Sequence, residues 1–205
     1  MYSGITRGLF PVVALERRPG ATHFTVELSP ELSTNVEIGA SIALDGVCLT
    51  VVAIAGPRIS FDAISETLSR STLAGLELGR LLSVERSVRY GDELGGHDVF
   101  GHVIGTGTVV AVGNIGEQLD LTVQVPPAWM KYILPKGFVA LDGSSLTVGD
   151  THSDGRFDVH LIPETQRLTN FARKRVGDRT NVELDPRTVA IVDTVERVLA
   201  ERLKA

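Results

Sequence analysis

Cysteine occurs once in this sequence of 205 residues, as Cys48, which excludes an intrachain disulfide and makes a reducing compartment the expected one. Basic residues are the minority: 25 Asp and Glu against 20 Lys and Arg give a formal charge of −5. No Lys or Arg run offsets that balance, so no nucleic acid partner is expected, and small molecules or other proteins are favoured. No apolar stretch approaches the ~20 residues of a membrane-spanning helix, and Met1-Tyr-Ser-Gly-Ile-Thr-Arg7 carries no charged-then-apolar leader. The expectation is a soluble, cytoplasmic protein with no membrane partner. A Walker loop, a Rossmann glycine fingerprint and a Gly-x-Ser-x-Gly elbow are all missing, which removes the common phosphate sites and the hydrolase nucleophile. His97 and His102, five residues apart, do not share a helical face and have no further His or Cys cluster beside them, so no metal site is expected.

What the chain does contain is itself, twice. Ser41-Ile-Ala-Leu-Asp-Gly-Val-Cys-Leu-Thr-Val51 returns as Phe138-Val-Ala-Leu-Asp-Gly-Ser-Ser-Leu-Thr-Val148, with Asp45 and Asp142 (142 − 45 = 97) setting the period. Each copy reads as strand, Asp-Gly turn, strand, because Asp-Gly tolerates positive φ and Leu-Thr-Val favours a pleated, half-buried surface. Further matches within one residue of that spacing, such as Phe61-Asp62 with Phe157-Asp158 and Glu66-Thr67 with Glu164-Thr165, extend the repeat over two halves of roughly 95 residues, each long enough for its own core.

Within the first half, Met1 to Thr6 reads as a short strand, and Leu9 to Leu15 with His23 to Leu28 as a hairpin around Arg17-Arg-Pro-Gly20. Ser29 precedes Pro30 as a helix cap ahead of one or two helical turns. Val51 to Ala55, Ile59 to Ile64 and Leu82 to Arg86 complete the strands, and the polar, glycine-rich Arg89 to Gly96 marks the boundary between halves. Six or so short strands per half favour closure, which removes exposed edges. The expected fold is all-β: two homologous, small, Greek-key-like β-barrels in tandem, residues 1–97 and 98–189, followed by a C-terminal α-helix over 190–205. In that helix Asp193 and Glu196 are placed for a capping box, and Val192, Val195, Leu199 and Leu203 form one apolar stripe. Such a stripe either lies on its own barrel or makes an oligomer contact.

Cys48 stands just past the first Asp-Gly turn and Ser145 just past the second, which suggests a slot that takes a small polar atom, although lone cysteines are most often buried small hydrophobes. His97 and His102 lie among glycines that let backbone approach a ligand, and suit general acid–base work near neutral pH; a satisfied structural histidine is the plainer alternative for each. Recurrence of Thr50/Thr147, Glu66/Glu164 and Thr67/Thr165 fits two equivalent polar pockets as well as it fits turn caps. Residue chemistry alone gives a duplicated small-molecule-binding barrel with capacity for acid–base catalysis.

Taken together, Met1-Tyr-Ser-Gly-Ile, Asp45-Gly-Val-Cys-Leu-Thr-Val, Gly95-Gly-His with Gly101-His102, Lys136-Gly, Asp142-Gly-Ser-Ser-Leu-Thr-Val and Leu161-Ile-Pro-Glu-Thr resemble the riboflavin synthases, from Met1 to about Leu203. The resemblance implies a homotrimer in which two 6,7-dimethyl-8-ribityllumazine molecules exchange a four-carbon unit, giving riboflavin and 5-amino-6-ribitylaminouracil without an external cofactor. One substrate would sit in the N-terminal barrel of one subunit, the other in the C-terminal barrel of a neighbour. Association with lumazine synthase is a further partner the resemblance admits. It implies that Gly4, Ile5, Thr6, Cys48, Leu49, Thr50, Asp62, Ala63, Ile64, Ser65, Glu66 and Thr67 line the first pocket. Gly101, His102, Val103, Lys136, Ser145, Leu146, Thr147, Ile162, Pro163, Glu164, Thr165, Gln166 and Arg167 would line the second. His102 would assist proton removal from the C7 methyl of one substrate, with Cys48, Ser41 and Ser145 holding or activating the other. Tyr2, Asp45, Phe100 and Asn170-Phe171 depart from the family's commonest pattern. The runner-up is a non-catalytic lumazine or flavin carrier on the same duplicated barrel.

Overall fold

The computed structural model describes residues 1–203. Six strands, β1 (Leu9–Arg18), β2 (Ala21–Glu27), β3 (Ser41–Leu44), β4 (Val47–Ala55), β5 (Arg58–Ile64) and β6 (Leu81–Arg86), close an antiparallel barrel in the order β1-β2-β5-β4-β3-β6. The second barrel repeats it with β7 (Gly105–Ile115), β8 (Gln118–Gln124), β9 (Phe138–Leu141), β10 (Ser144–Thr151), β11 (Arg156–Leu161) and β12 (Arg179–Leu184). Alternation decides which face is inside: Thr22, Phe24 and Val26 of β2, and Leu119, Leu121 and Val123 of β8, are buried while their neighbours are not. Each barrel has its own apolar core. In the first, Phe24 and Phe61 are fully buried with ring centroids 5.8 Å apart, each contributing about 1.5–3 kcal/mol by leaving water. Register shifts after Val12 and Val51 recur after Val109 and Val148, so the bulges that curl the strands into closure are duplicated too.

Short helices α1 (Pro30–Ser33), α2 (Ser65–Arg70) and α3 (Pro163–Leu168) follow β2, β5 and β11, and α4 (Pro186–Arg202) follows the last strand. Ser29 caps α1 as its sequence suggests, its hydroxyl accepting from the Leu32 amide. Helix α4 starts earlier than the expected residue 190. Its cap is Asp185, which accepts from the Arg187 and Thr188 amides with Pro186 at the first helical position. Asp193 is therefore mid-helix and forms no capping box; it accepts from the Tyr132 hydroxyl at 2.6 Å and the Lys131 ammonium at 3.3 Å. The expected strand over Met1 to Thr6 is likewise reduced to one bridge, Tyr2 with Val99, because this segment leaves its own barrel, as shown below.

The two Asp-Gly turns do more than reverse the chain. Asp45 and Gly46 (φ 45° and 76°) meet Asp142 and Gly143 (φ 43° and 83°) back to back, so close that a Cβ on Gly46 would stand 2.3 Å from the Gly143 nitrogen. Asp45 accepts from the Ser83 amide at 2.7 Å and from Arg80 at 2.9 Å; Asp142 accepts from the Asn181 amide and Lys174, each at 2.7 Å. Asn181 crosses the seam, donating to the Asp45 carbonyl and accepting from the Thr72 amide, each at 2.7 Å. Asn170, a departure from the family pattern, donates to Asp142 at 2.9 Å and reaches Asp45 at 3.4 Å.

Burial, reinforced by the facing Asp142 carboxylate, pushes Asp45 up to about 6, against the downward pull of Arg80 and the Ser83 amide. A carboxyl whose folded value lies above its unfolded one favours folding fully below the ordinary range and loses that contribution as pH rises through about 6. The melting temperature of the wild type relative to Asp45→Asn is therefore expected to fall between about pH 4 and pH 7. A difference between the two proteins that does not change with pH would remove Asp45 as the titrating group.

Candidate functional site

Two clefts open at equivalent places on the two barrels. The first, of about 200 Å³, is lined by Val47, Cys48, Glu66, Thr67, Arg70, Ser71, Gly101, His102 and Val103. The second, of about 220 Å³, is lined by Gly4, Ile5, Thr6, Ser144, Ser145, Ile162, Glu164, Thr165, Leu168 and Thr169. Position by position these are the same site: Cys48 answers to Ser145, Thr67 to Thr165, Arg70 to Leu168, Gly101 to Gly4 and His102 to Ile5. The first cleft thus carries a thiol, an imidazole and a guanidinium where the second has a hydroxyl and two aliphatic side chains.

Each cleft is finished by a strap that is remote in sequence. Residues 99–103, between the barrels, lie on the first barrel, where the Cys48 amide donates to the Gly101 carbonyl at 3.0 Å. Residues 2–6 lie on the second, where the Ser145 amide donates to the Gly4 carbonyl at 2.8 Å. The Tyr2–Val99 bridge joins the two straps. Glycine is needed at both contact points: φ is +72° at Gly4 and +76° at Gly101, and an added Cβ would lie 2.5 Å from Ser145 Cβ or Cys48 Cβ respectively.

This arrangement exchanges two of the expected groupings. Gly4, Ile5 and Thr6 belong with Ser145 and not with Cys48, while Gly101, His102 and Val103 belong with Cys48 and not with Ser145. An N-terminal fragment of residues 1–97 accordingly lacks part of its own cleft. Around the first cleft, Glu66 pairs with Arg70 along α2, and the Ser65 hydroxyl donates to the Gly20 carbonyl at 3.0 Å. Around the second, Arg167 donates to Glu164 and Gln166 to the Glu117 and Leu161 carbonyls; Ile162 and Pro163 form the start of α3.

Several expected residues lie off the clefts. Leu49, Ala63 and Leu146 point into their barrel cores. Asp62 bonds His23 on the barrel surface at 2.7 Å, and Ile64 is exposed ahead of α2. Thr50 and Thr147, opposite Leu49 and Leu146 in the strand alternation, are exposed. Ser41 is paired with Thr50 at the far end of its hairpin, its carbonyl accepting from the Ser87 hydroxyl at 2.9 Å. Lys136 takes φ +63° before β9 and donates its amide to Val148. Neither Ser41 nor Lys136 is among the residues that line a cleft.

Cys48 is half-buried and accepts from the Tyr2 hydroxyl at 3.1 Å; burial and that thiol push the Tyr2 phenol upward. His102 is exposed on its strap, its ring centroid 6.2 Å from that of Phe100. His97 is the residue that sequence patterning alone does not place. Its ring stacks on Phe138 at 5.1 Å, and its Nδ1 lies 2.6 Å from Ser145 Oγ. The His97 amide also donates to that oxygen at 3.2 Å. Burial lowers the His97 pKa. The only sequence signal was its place beside Gly95-Gly96.

The lumazine binding domain model matches this chain twice, at residues 3–87 and 100–185. The riboflavin synthase of Escherichia coli strain K12 is 43% identical over 206 residues, covering 100% of this chain and 96% of its own length. That of Buchnera aphidicola subsp. Schizaphis graminum is 38% identical over 200 residues, covering 97% and 96%. Among solved structures, LumP complexed with riboflavin superposes with a TM-score of 0.83 at 22% identity, over 90% of this chain and all of that one. LumP complexed with 6,7-dimethyl-8-(1'-D-ribityl) lumazine gives 0.81 at 21%. At those identities the likeness is one of fold.

Proposed function

The chain belongs to the riboflavin synthase family, and on that premise we propose that it converts two molecules of 6,7-dimethyl-8-ribityllumazine into riboflavin and 5-amino-6-ribitylaminouracil. The observation that carries the proposal is full-length identity to the synthases at 43%, joined to two equivalent clefts of which one is lined by both an imidazole and a thiol. Transfer of a four-carbon unit between identical molecules is redox-neutral overall, so the reaction requires no external oxidant or cofactor.

Each cleft receives one lumazine. His102 removes the proton from the acidified C7 methyl in the Cys48 cleft, and the Cys48 Sγ, held by Tyr2, assists there. Ser145, its hydroxyl in hydrogen-bond contact with His97, binds the substrate of the other cleft, whose aliphatic lining suits the ring edge. Ser41 lies outside the two clefts. Residues 1–97 and 98–189 act as the two lumazine-binding halves. The assembly is a homotrimer in which neighbouring subunits stack their substrates, replacing a bimolecular encounter by a positioned one. Support for a trimer comes from α4, none of whose residues is buried and whose Val195, Leu199 and Leu203 are 51%, 55% and 88% exposed. A cytoplasmic location rests on the lone cysteine; among the described residues no helix is long and apolar enough to cross a membrane. Docking to lumazine synthase rests on family resemblance alone.

Purified protein given 6,7-dimethyl-8-ribityllumazine and nothing else is expected to yield half an equivalent of riboflavin per substrate consumed, read by absorbance and chromatography. Tight binding of the lumazine without turnover would reject the enzyme and establish the carrier.

A further inference from the structure

Each strap is gripped by a buried carboxylate on the barrel opposite the cleft it completes. Glu183, on β12 of the second barrel and 4% exposed, accepts from the Phe100 amide at 2.7 Å through Oε1 and from the Gly101 amide at 2.9 Å through Oε2. Glu85 is its counterpart on β6 of the first barrel, 5% exposed, and accepts from both the amide and the hydroxyl of Ser3 at 2.7 Å through Oε1. Burial works against a charged carboxylate at both places, and the strap amides oppose that cost. An acid is a costly residue to bury for packing alone. At Glu183, two acceptor oxygens facing successive amides are, however, what fixes a short, irregular segment that has no sheet ladder of its own, and Glu85 holds its strap through Oε1 on Ser3.

We propose that Glu183 and Glu85 are positioning residues that act crosswise. Glu183, in the second barrel, sets Gly101 and His102 against Cys48 in the first; Glu85, in the first, sets Gly4 to Thr6 against Ser145 in the second. Each cleft of a chain then depends on an acid of the other barrel. The role in substrate binding rests on the function proposed above, but the mechanical claim does not, and the lone thiol reports on it without any substrate.

The test is the alkylation rate of Cys48 by iodoacetamide in the full-length protein, wild type against Glu183→Gln and Glu85→Gln. Glutamine keeps the size of the side chain but turns a donor toward one strap amide. Loosening the Gly101 strap is expected to speed modification of Cys48 about tenfold or more in Glu183→Gln, while Glu85→Gln stays within about twofold of wild type. In the enzyme assay Glu183→Gln lowers kcat and raises KM together, and Glu183→Asp, which retains the charge, recovers part of both. Should Glu183→Gln fail to fold, Glu183→Asp carries the test, since its shortened reach still accelerates alkylation relative to wild type. A Cys48 rate unchanged in both Glu183 variants, or raised equally by Glu85→Gln, would overturn crosswise positioning. Absence of lumazine turnover in the wild type would instead reject the function and leave the alkylation result standing.

Discussion

Replacing His102 by glutamine is expected to lower kcat by about 10²–10⁴-fold, the range that a positioned acid or base contributes, while circular dichroism and melting temperature stay close to wild type. His102 is exposed and lies on a strap outside both barrel cores, so its loss removes chemistry and not packing. It is the one imidazole among the residues lining the two clefts; the equivalent position in the second is Ile5. Proton transfer in the Cys48 cleft therefore has a single imidazole to draw on. Cys48→Ser should be milder, because serine still accepts from the Tyr2 hydroxyl and the second cleft already uses serine at this place. The Phe100 ring lies beside the imidazole, and Phe100→Ala should change kcat more than binding. Wild-type turnover by His102→Gln would return His102 to the surface of a strap with no catalytic part.

Truncation after Thr188 is the other large effect expected. The barrels should stay folded, because no residue of α4 is buried; beyond the cut the truncation gives up the partly buried Val189, packed against the second core, and the exposed bonds of Lys131 and Tyr132 to Asp193 and Glu196. It removes Ile191, Val195, Leu199 and Leu203, apolar side chains exposed by half or more that find no cover on their own subunit. Analytical ultracentrifugation should show the mass falling from trimer to monomer while far-ultraviolet circular dichroism stays β-like. Turnover at dilute enzyme should fall by several orders of magnitude, since effective molarities for held reactants reach about 10⁵–10⁸ M and are forfeited when the neighbour leaves. A truncated protein that remained a trimer would place the assembly surface elsewhere. One that became monomeric yet kept full activity would mean a single chain holds both substrates together.

Much of this molecule is settled by local chemistry. The repeat of Asp45-Gly46 as Asp142-Gly143, strand alternation through Phe24-Thr-Val26 and Leu121-Thr-Val123, and the Ser29-Pro30 helix start are each decided by φ preference, period two or a cap within a few residues. They sufficed for two barrels and for Cys48 and Ser145 as equivalent cleft residues. The early start of α4 was also local, in Asp185-Pro186, but was outcompeted by the more regular spacing of Asp193 and Glu196. Pairing of straps with clefts is of another kind. Gly4 and Gly101 are copies of one position, as are Cys48 and Ser145, so the exchanged and unexchanged arrangements satisfy the same hydrogen bonds with the same residue types. A duplication makes the two arrangements nearly degenerate in sequence, and only the path of the chain past Tyr2–Val99, fixed by the amides on Glu85 and Glu183, selects one. The same holds for His97, whose partner Ser145 is 48 residues away, and for Ser41, which the strand pairing carries to the wrong end of its hairpin. Contacts of that range depend on barrel closure, which no local pattern contains.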